Sequence, residues 1–153
     1  MRALELKIPP MLLAVLLLPA MWGLSRCEPH AAIPAAGRVA AALLISVAGA
    51  TFITLGMLEF RRFKTTFDPT RPGRASSFVS GGVYRITRNP MYLGALMLLA
   101  AWAVYLGSPW AIAGPVLFYF YIDRFQIEPE ERILAGLFGE EYTRYVARVR
   151  RWL

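Results

Sequence analysis

The sequence contains one cysteine, Cys27, and one histidine, His30. A lone cysteine excludes an intramolecular disulfide framework. With a lone histidine beside it, no cluster has metal-ligand spacing, so no metal partner is expected. Acidic residues are scarce, 10 against 17 Lys and Arg. The resulting charge of +7 raises the question of nucleic acid. However, the cations sit at the ends of apolar runs, where anionic headgroups attract them, so no nucleic-acid partner is expected. Charge is missing altogether from the long apolar runs, and with it the ionisable intramembrane residue that marks a transport path. The Arg26-Cys27 pair argues against a lipoprotein cleavage box, which takes a small residue before the cysteine. The apolar stretch from Met11 to Trp22 resembles a signal-peptide core but lacks a small-x-small cleavage pattern directly after it, so an uncleaved first helix is expected.

Hydrophobic residues make up 57% of the 153, above the roughly 45–50% of a soluble domain. The length suits a single domain. Eighteen uncharged residues, Ile8 to Ser25, and twenty more, Val39 to Leu58, are each long enough to cross a hydrocarbon core. Asn89 to Ile122 adds thirty-four uncharged residues, which as one helix would run about 51 Å against a core of about 30 Å. It must therefore be two helices, turned at Gly107-Ser108-Pro109. The expected fold is all-α: one membrane domain over residues 1–153, with four spans at about 8–25, 39–58, 90–106 and 109–127, a loop over 60–88, and an amphipathic tail helix over 130–152. Fifteen of the Lys and Arg residues fall on one side of these spans and only Arg26 and Arg38 on the other, which predicts a multi-pass membrane protein with both termini cytoplasmic.

Two polar clusters flank the predicted hairpin, Gly81 to Gly94 before it and Asp123 to Glu131 after it. An antiparallel hairpin brings both to one membrane face. Pro90 opening the third helix leaves first-turn N–H groups free, a seat for an anionic group, with Arg88 adding positive charge. Taken singly these features have plain structural explanations. Tyr84 and Tyr92 suit interfacial anchors, and Glu130 and Glu131 after Pro129 suit complements to a helix dipole.

Taken together they carry a resemblance. Gly82-Val83-Tyr84, Arg88-Asn89-Pro90-Met91-Tyr92-Leu93-Gly94, the hairpin, Glu130-Glu131 and Phe138-Gly139-Glu140-Glu141-Tyr142 resemble, in order and spacing, the isoprenylcysteine carboxyl methyltransferase and phospholipid methyltransferase superfamily over about residues 65–152. The resemblance implies a membrane-embedded methyltransferase that uses S-adenosylmethionine. No glycine-rich strand-turn-helix of a soluble nucleotide fold is present to contradict it. Carried over residue by residue, the resemblance implies cofactor contacts at Ser76, Ser77, Phe78, Val79, Tyr84, Asn89, Pro90, Met91, Tyr92 and Glu130. The position of the acceptor-associated arginine of carboxyl-methylating members aligns with Gln126, with Arg124 half a turn away, so these two are the implied substrate contacts. The expected partners are the lipid bilayer and a small or lipidic methyl acceptor.

Two positions depart from the family pattern. Asn89 replaces a histidine; it can hydrogen-bond but cannot titrate near neutral pH, so a proton-shuttling role at that position is not inherited. Gln126 stands where those members carry an arginine, so prenylcysteine is not inherited as the substrate. No catalytic residue is assigned. The competing expectation is a non-catalytic membrane scaffold that keeps only the fold.

Overall fold

The computed structural model describes residues 4–27, 33–62 and 79–153. Every regular element among them is helical: α1 (Pro10–Ser25), α2 (Ala35–Arg62), α3 (Pro90–Leu106), α4 (Ala113–Ile122) and α5 (Glu128–Val146). Short 3-10 turns occupy Gly82–Arg85 and Pro109–Ile112, and a π-helical turn, Asp123–Ile127, joins α4 to α5.

Proline and glycine set the boundaries. Pro10 and Pro90 open α1 and α3, where a missing N–H costs nothing. Gly107, at φ 65°, closes α3 in the left-handed conformation that glycine adopts without strain. The hairpin turn was expected at Gly107-Ser108-Pro109, and the 3-10 turn carries it on to Ile112. The uncharged run therefore yields less helix than its length suggests.

α2 and α3 pack antiparallel along their length. Near the middle, a Cβ added at Gly94 would lie 2.5 Å from the Gly49 carbonyl oxygen, and one added at Gly49 would lie 2.8 Å from that of Gly94, so two backbones meet where neither can carry a side chain. At one end the Arg38 guanidinium donates to the carbonyls of Tyr105 and Leu106, and at the other Gly56 faces Met91. α1 lies against α3 and α4. The Trp102 indole donates to the Leu18 carbonyl, and Met21 packs where a Cβ on Gly114 would stand. Met21, Leu99, Phe118 and Ile122 form the centre of the core.

Outward faces are apolar as well. Leu43, Leu44, Val47, Leu117 and Phe120 are each at least 60% exposed, a surface that water would oppose and lipid would accept. Among the described residues, α2 alone is long and apolar enough to cross a membrane by length and composition. α1 and α3, with 16 and 17 residues, are shorter apolar helices, so only one of the four expected spans meets both criteria on its own. The reason is local. The expected span 8–25 loses Ile8 and Pro9 before α1, the expected 90–106 is itself only the seventeen residues of α3, and the expected 109–127 divides into a 3-10 turn, the ten residues of α4 and a π turn.

The alternating helix directions gather the start of α1, the end of α2, the start of α3 and the end of α4 at one end of the bundle. Arg26 and Arg38 lie at the other. The tail helix, expected over 130–152, ends at Val146 and is interrupted at Gly139 (φ 50°, ψ −122°). Residues 147–153 then turn back to meet the start of α3.

Candidate functional site

The charged end of the bundle is built around Glu130. The Tyr92 hydroxyl, from the first turn of α3, donates to Glu130 Oε1 at 2.6 Å, and the Gln126 amide donates to the same oxygen. Tyr92 and Gln126 are buried, at 7% and 1% exposure. Gln126 and Glu130 stand four residues apart, a spacing that puts both on one helix face, and a π turn closed by Glu128 N–H donating to the Asp123 carbonyl runs through this stretch.

Glu130 keeps some accessible surface, but its carboxyl is crowded enough to be desolvated. Burial pushes its pKa up to about 7, the bonds from Tyr92 and Gln126 pull it down, and the neighbouring Glu131 charge adds to the rise. Among the described residues no donor reaches Oε2, so the second oxygen retains its acceptor capacity.

Tyr84 completes the wall. It lies in the 3-10 turn after Gly81, buried with Val79 and Val83 against Phe52 and Phe60, its ring edge-on to Phe60 at 5.8 Å. Its pKa is raised above the ordinary tyrosine value, chiefly by burial and then by Tyr145 and the carboxylates of Glu130 and Glu59. The Tyr145 hydroxyl donates to the Tyr84 carbonyl at 2.7 Å, which fastens α5 over this turn. Glu59, near the end of α2, is buried, pairs with Arg62 at 2.9 Å and packs against Gly82.

The structure thus brings together Val79, Tyr84, Tyr92, Gln126 and Glu130. Pro90 and Met91 form the opening of α3 beside them, with no side chain capping the helix start. Ser76, Ser77 and Phe78 lie outside the described residues. Asn89 turns to the other side, where its amide donates to the Arg151 carbonyl at 2.9 Å. Arg124 also faces away from Glu130, paired with Glu128 and Glu5, so it and Gln126 do not share a site.

Arg88 likewise does not stand free at the helix start. Its guanidinium donates to Glu131 at 2.8 Å and to the carbonyls of Val149 and Val146 at 2.9 and 3.2 Å, capping the last turn of α5. Glu131 binds Arg151 as well. The two adjacent glutamates therefore divide, Glu130 toward Tyr92 and Glu131 toward the cations of the chain end. The last residues are further held by Asp123, which pairs with Arg151 at 3.0 Å and accepts the Trp152 indole N–H at 3.0 Å.

Sequence reasoning missed Glu59 and Asp123 as structural centres. In the sequence Glu59 is only the charge that ends the uncharged run Val39 to Leu58. Its signal was Gly82, a glycine beside Tyr84 at φ 52° with no room for a Cβ. Asp123 carried no signal, because its partners arrive only when the chain end folds back.

The model of the phospholipid methyltransferase family matches residues 37–141, which covers both walls of this site. The chain belongs to that family. A protein of Haemophilus influenzae described as uncharacterized is 48% identical over 63 residues, 41% of this chain and the whole of that relative. No solved structure matches. Family membership, with the apolar α2, supports a membrane location and methyltransferase-type chemistry.

Proposed function

We propose that the chain transfers a methyl group from S-adenosylmethionine to a small or lipidic amphiphile at the cytoplasmic membrane face, as a four-span protein with both termini cytoplasmic. The observation that carries this reading is the buried Tyr92–Glu130–Gln126 cluster at the charged end of a family member's bundle. An ion pair built for stability would place a cation on Glu130. It has neutral donors on one oxygen, an arrangement suited to accepting hydrogen bonds from ribose hydroxyls or an amino group.

The residues present fit the cofactor. In this proposal Glu130 accepts its polar hydrogens, and the uncapped first turn of α3 at Met91 and Tyr92 offers N–H groups to its carboxylate. Tyr84 and Tyr92 supply aromatic faces suited to a cation. The family resemblance adds Ser76, Ser77, Phe78 and Val79 to the proposed cofactor contacts, and Asn89 and Pro90 fix where α3 begins. Gln126 orients Glu130 and borders the acceptor side; Arg124 serves the acceptor only from the bundle's outer face. When bound, S-adenosylmethionine supplies an electrophilic methyl group on a sulfonium leaving group, so the protein's task is alignment and exclusion of water.

Calorimetry of the purified protein in detergent with S-adenosylhomocysteine tests the reading. Millimolar or tighter binding is expected, with transfer of labelled methyl to a component of a membrane lipid extract. Absence of binding would leave the scaffold as the surviving alternative. Orientation has its own test in Cys27, which is exposed beyond the end of α1. A membrane-impermeant thiol reagent should label it from outside intact cells, and labelling only after permeabilisation would reverse the topology.

A further inference from the structure

A cleft of about 350 Å³ opens at the end of the bundle opposite Glu130, between the end of α1, the start of α2 and the end of α3. Both Arg26 and Arg38 line it, together with Trp22, Val39 and Tyr105. Among the described residues no carboxylate lines it. Arg38 uses Nη1 on the carbonyls of Tyr105 and Leu106, at 3.3 and 3.0 Å, while its Nε is buried without a hydrogen-bond partner. A buried guanidinium N–H in that state takes an acceptor whenever one is offered. Arg26 lies over the Trp22 ring at 4.6 Å and makes no ion pair among the described residues. Beyond the cleft, α1 and α2 expose apolar side chains. Leu18 stands one turn from Trp22 on α1 and Leu43 one turn from Val39 on α2, and both are exposed.

Two cations beside exposed apolar helix surface match an amphiphile with an anionic head. We propose that this cleft binds the phosphate of an anionic phospholipid in the leaflet opposite the Glu130 site, with its acyl chains along α1 and α2 past Leu18 and Leu43. The volume falls within the range of small-ligand sites, and guanidinium forks suit phosphate oxygens better than ammonium groups do. The proposal rests on the membrane-spanning reading but is independent of the methyl-transfer chemistry.

Native mass spectrometry of the protein in neutral detergent, titrated with phosphatidylglycerol, phosphatidylcholine or inorganic phosphate, tests it. One phosphatidylglycerol should be retained in preference to phosphatidylcholine, and Arg26→Gln should weaken its retention roughly tenfold, about what one charge-assisted contact supplies. Arg26→Gln is the decisive variant because it breaks no described hydrogen bond, whereas Arg38→Gln also uncaps α3 and needs a thermal melt beside it. Equal retention of both lipids, or a preference that survives Arg26→Gln, overturns the proposal. Displacement of the lipid by millimolar phosphate would give the cleft to the free ion instead. S-adenosylhomocysteine binding, measured in parallel, should be unchanged by Arg26→Gln. Its absence in the parent protein would count against the methyltransferase alone.

Discussion

Replacing Glu130 by Gln separates the two things that the carboxyl does. Its pKa lies at about 7 against an ordinary 4.5, with burial as the first cause. A carboxyl whose folded pKa is raised binds its proton more tightly in the folded state. Its favourable contribution is complete below pH 4.5 and is lost as pH rises to about 7. The size follows from the difference between the two values, roughly 3 kcal/mol at 1.36 kcal/mol for each pH unit. The surface that Glu130 retains reduces this to about 2. The amide introduced by Glu130→Gln would keep an oxygen for the Tyr92 and Gln126 donors and carry no charge to desolvate. The variant should therefore match or exceed the parent's stability at pH 8 by about 1–2 kcal/mol, with the difference shrinking toward pH 5.

Denaturation in detergent at half-unit steps between pH 5 and 8.5 reads this directly. The same variant should bind S-adenosylhomocysteine more weakly by roughly 2–3 kcal/mol, because an acceptor-only carboxylate becomes an amide at the contact. In the parent, that affinity should rise with pH through about 7 as Glu130 ionises, and in the variant it should be flat. A parent and variant with parallel stability curves over this range would refute the claim that Glu130 is desolvated. Equal affinity would remove it from the cofactor site.

Tyr92→Phe deletes the 2.6 Å bond to Glu130 and should cost about 1–2 kcal/mol. Because that bond lowers the Glu130 pKa, the pH midpoint of the stability curve should move upward, and an unchanged midpoint would place the Tyr92 hydroxyl elsewhere. Gly94→Ala forces a Cβ to within 2.5 Å of the Gly49 carbonyl and 2.6 Å of Ile53, so thermal unfolding should show a loss of about 2–3 kcal/mol. Gly23→Ala, with nothing within 4 Å, should gain about 0.5–1 kcal/mol; similar effects from both would disprove the close α2–α3 contact. Asp123→Ala removes the partner of both Arg151 and the Trp152 indole, at an expected cost of about 1–2 kcal/mol, and should make the last residues markedly more sensitive to carboxypeptidase. Resistance equal to that of the parent would mean that Arg88 and Glu131 hold residues 147–153 unaided.

Much of this arrangement was legible because it follows from period and sign. The uncharged run after Asn89 could only be a hairpin, and a hairpin necessarily returns Glu130 to the level of Tyr92. One residue of helix, about 100°, separates Glu130 from Glu131, so a divided pair was predictable, and each glutamate faces a different set of partners. What could not be read depends on contacts between segments distant in sequence. Arg88 looked like a charge presented to an anion at the start of α3. It is instead consumed by Glu131 and by the end of α5, because a seven-residue chain end, expected to continue a helix, leaves it at Val146 and brings carbonyls within reach. The π turn was equally hidden. Gln126 and Glu130 stand four apart on an ordinary helix too, and nothing local announces the extra residue in the turn between α4 and α5.

These misses point one way. Arg88, Asn89, Asp123, Glu131 and Arg151 were the polar residues most available for chemistry by composition, yet they bind one another or the backbone at the start of α3 and the end of α5. Glu130 is left with neutral donors, and that distinction is physical. A cation beside Glu130 would hold it ionised and occupy its oxygens, whereas Tyr92 and Gln126 orient it and, among the described residues, leave Oε2 open. In the proposed function, the charged lattice of the chain end keeps its cations away from Glu130. Breaking that lattice should disturb cofactor affinity only through the position of α5, while changes at Tyr92, Gln126 and Glu130 should act on affinity directly.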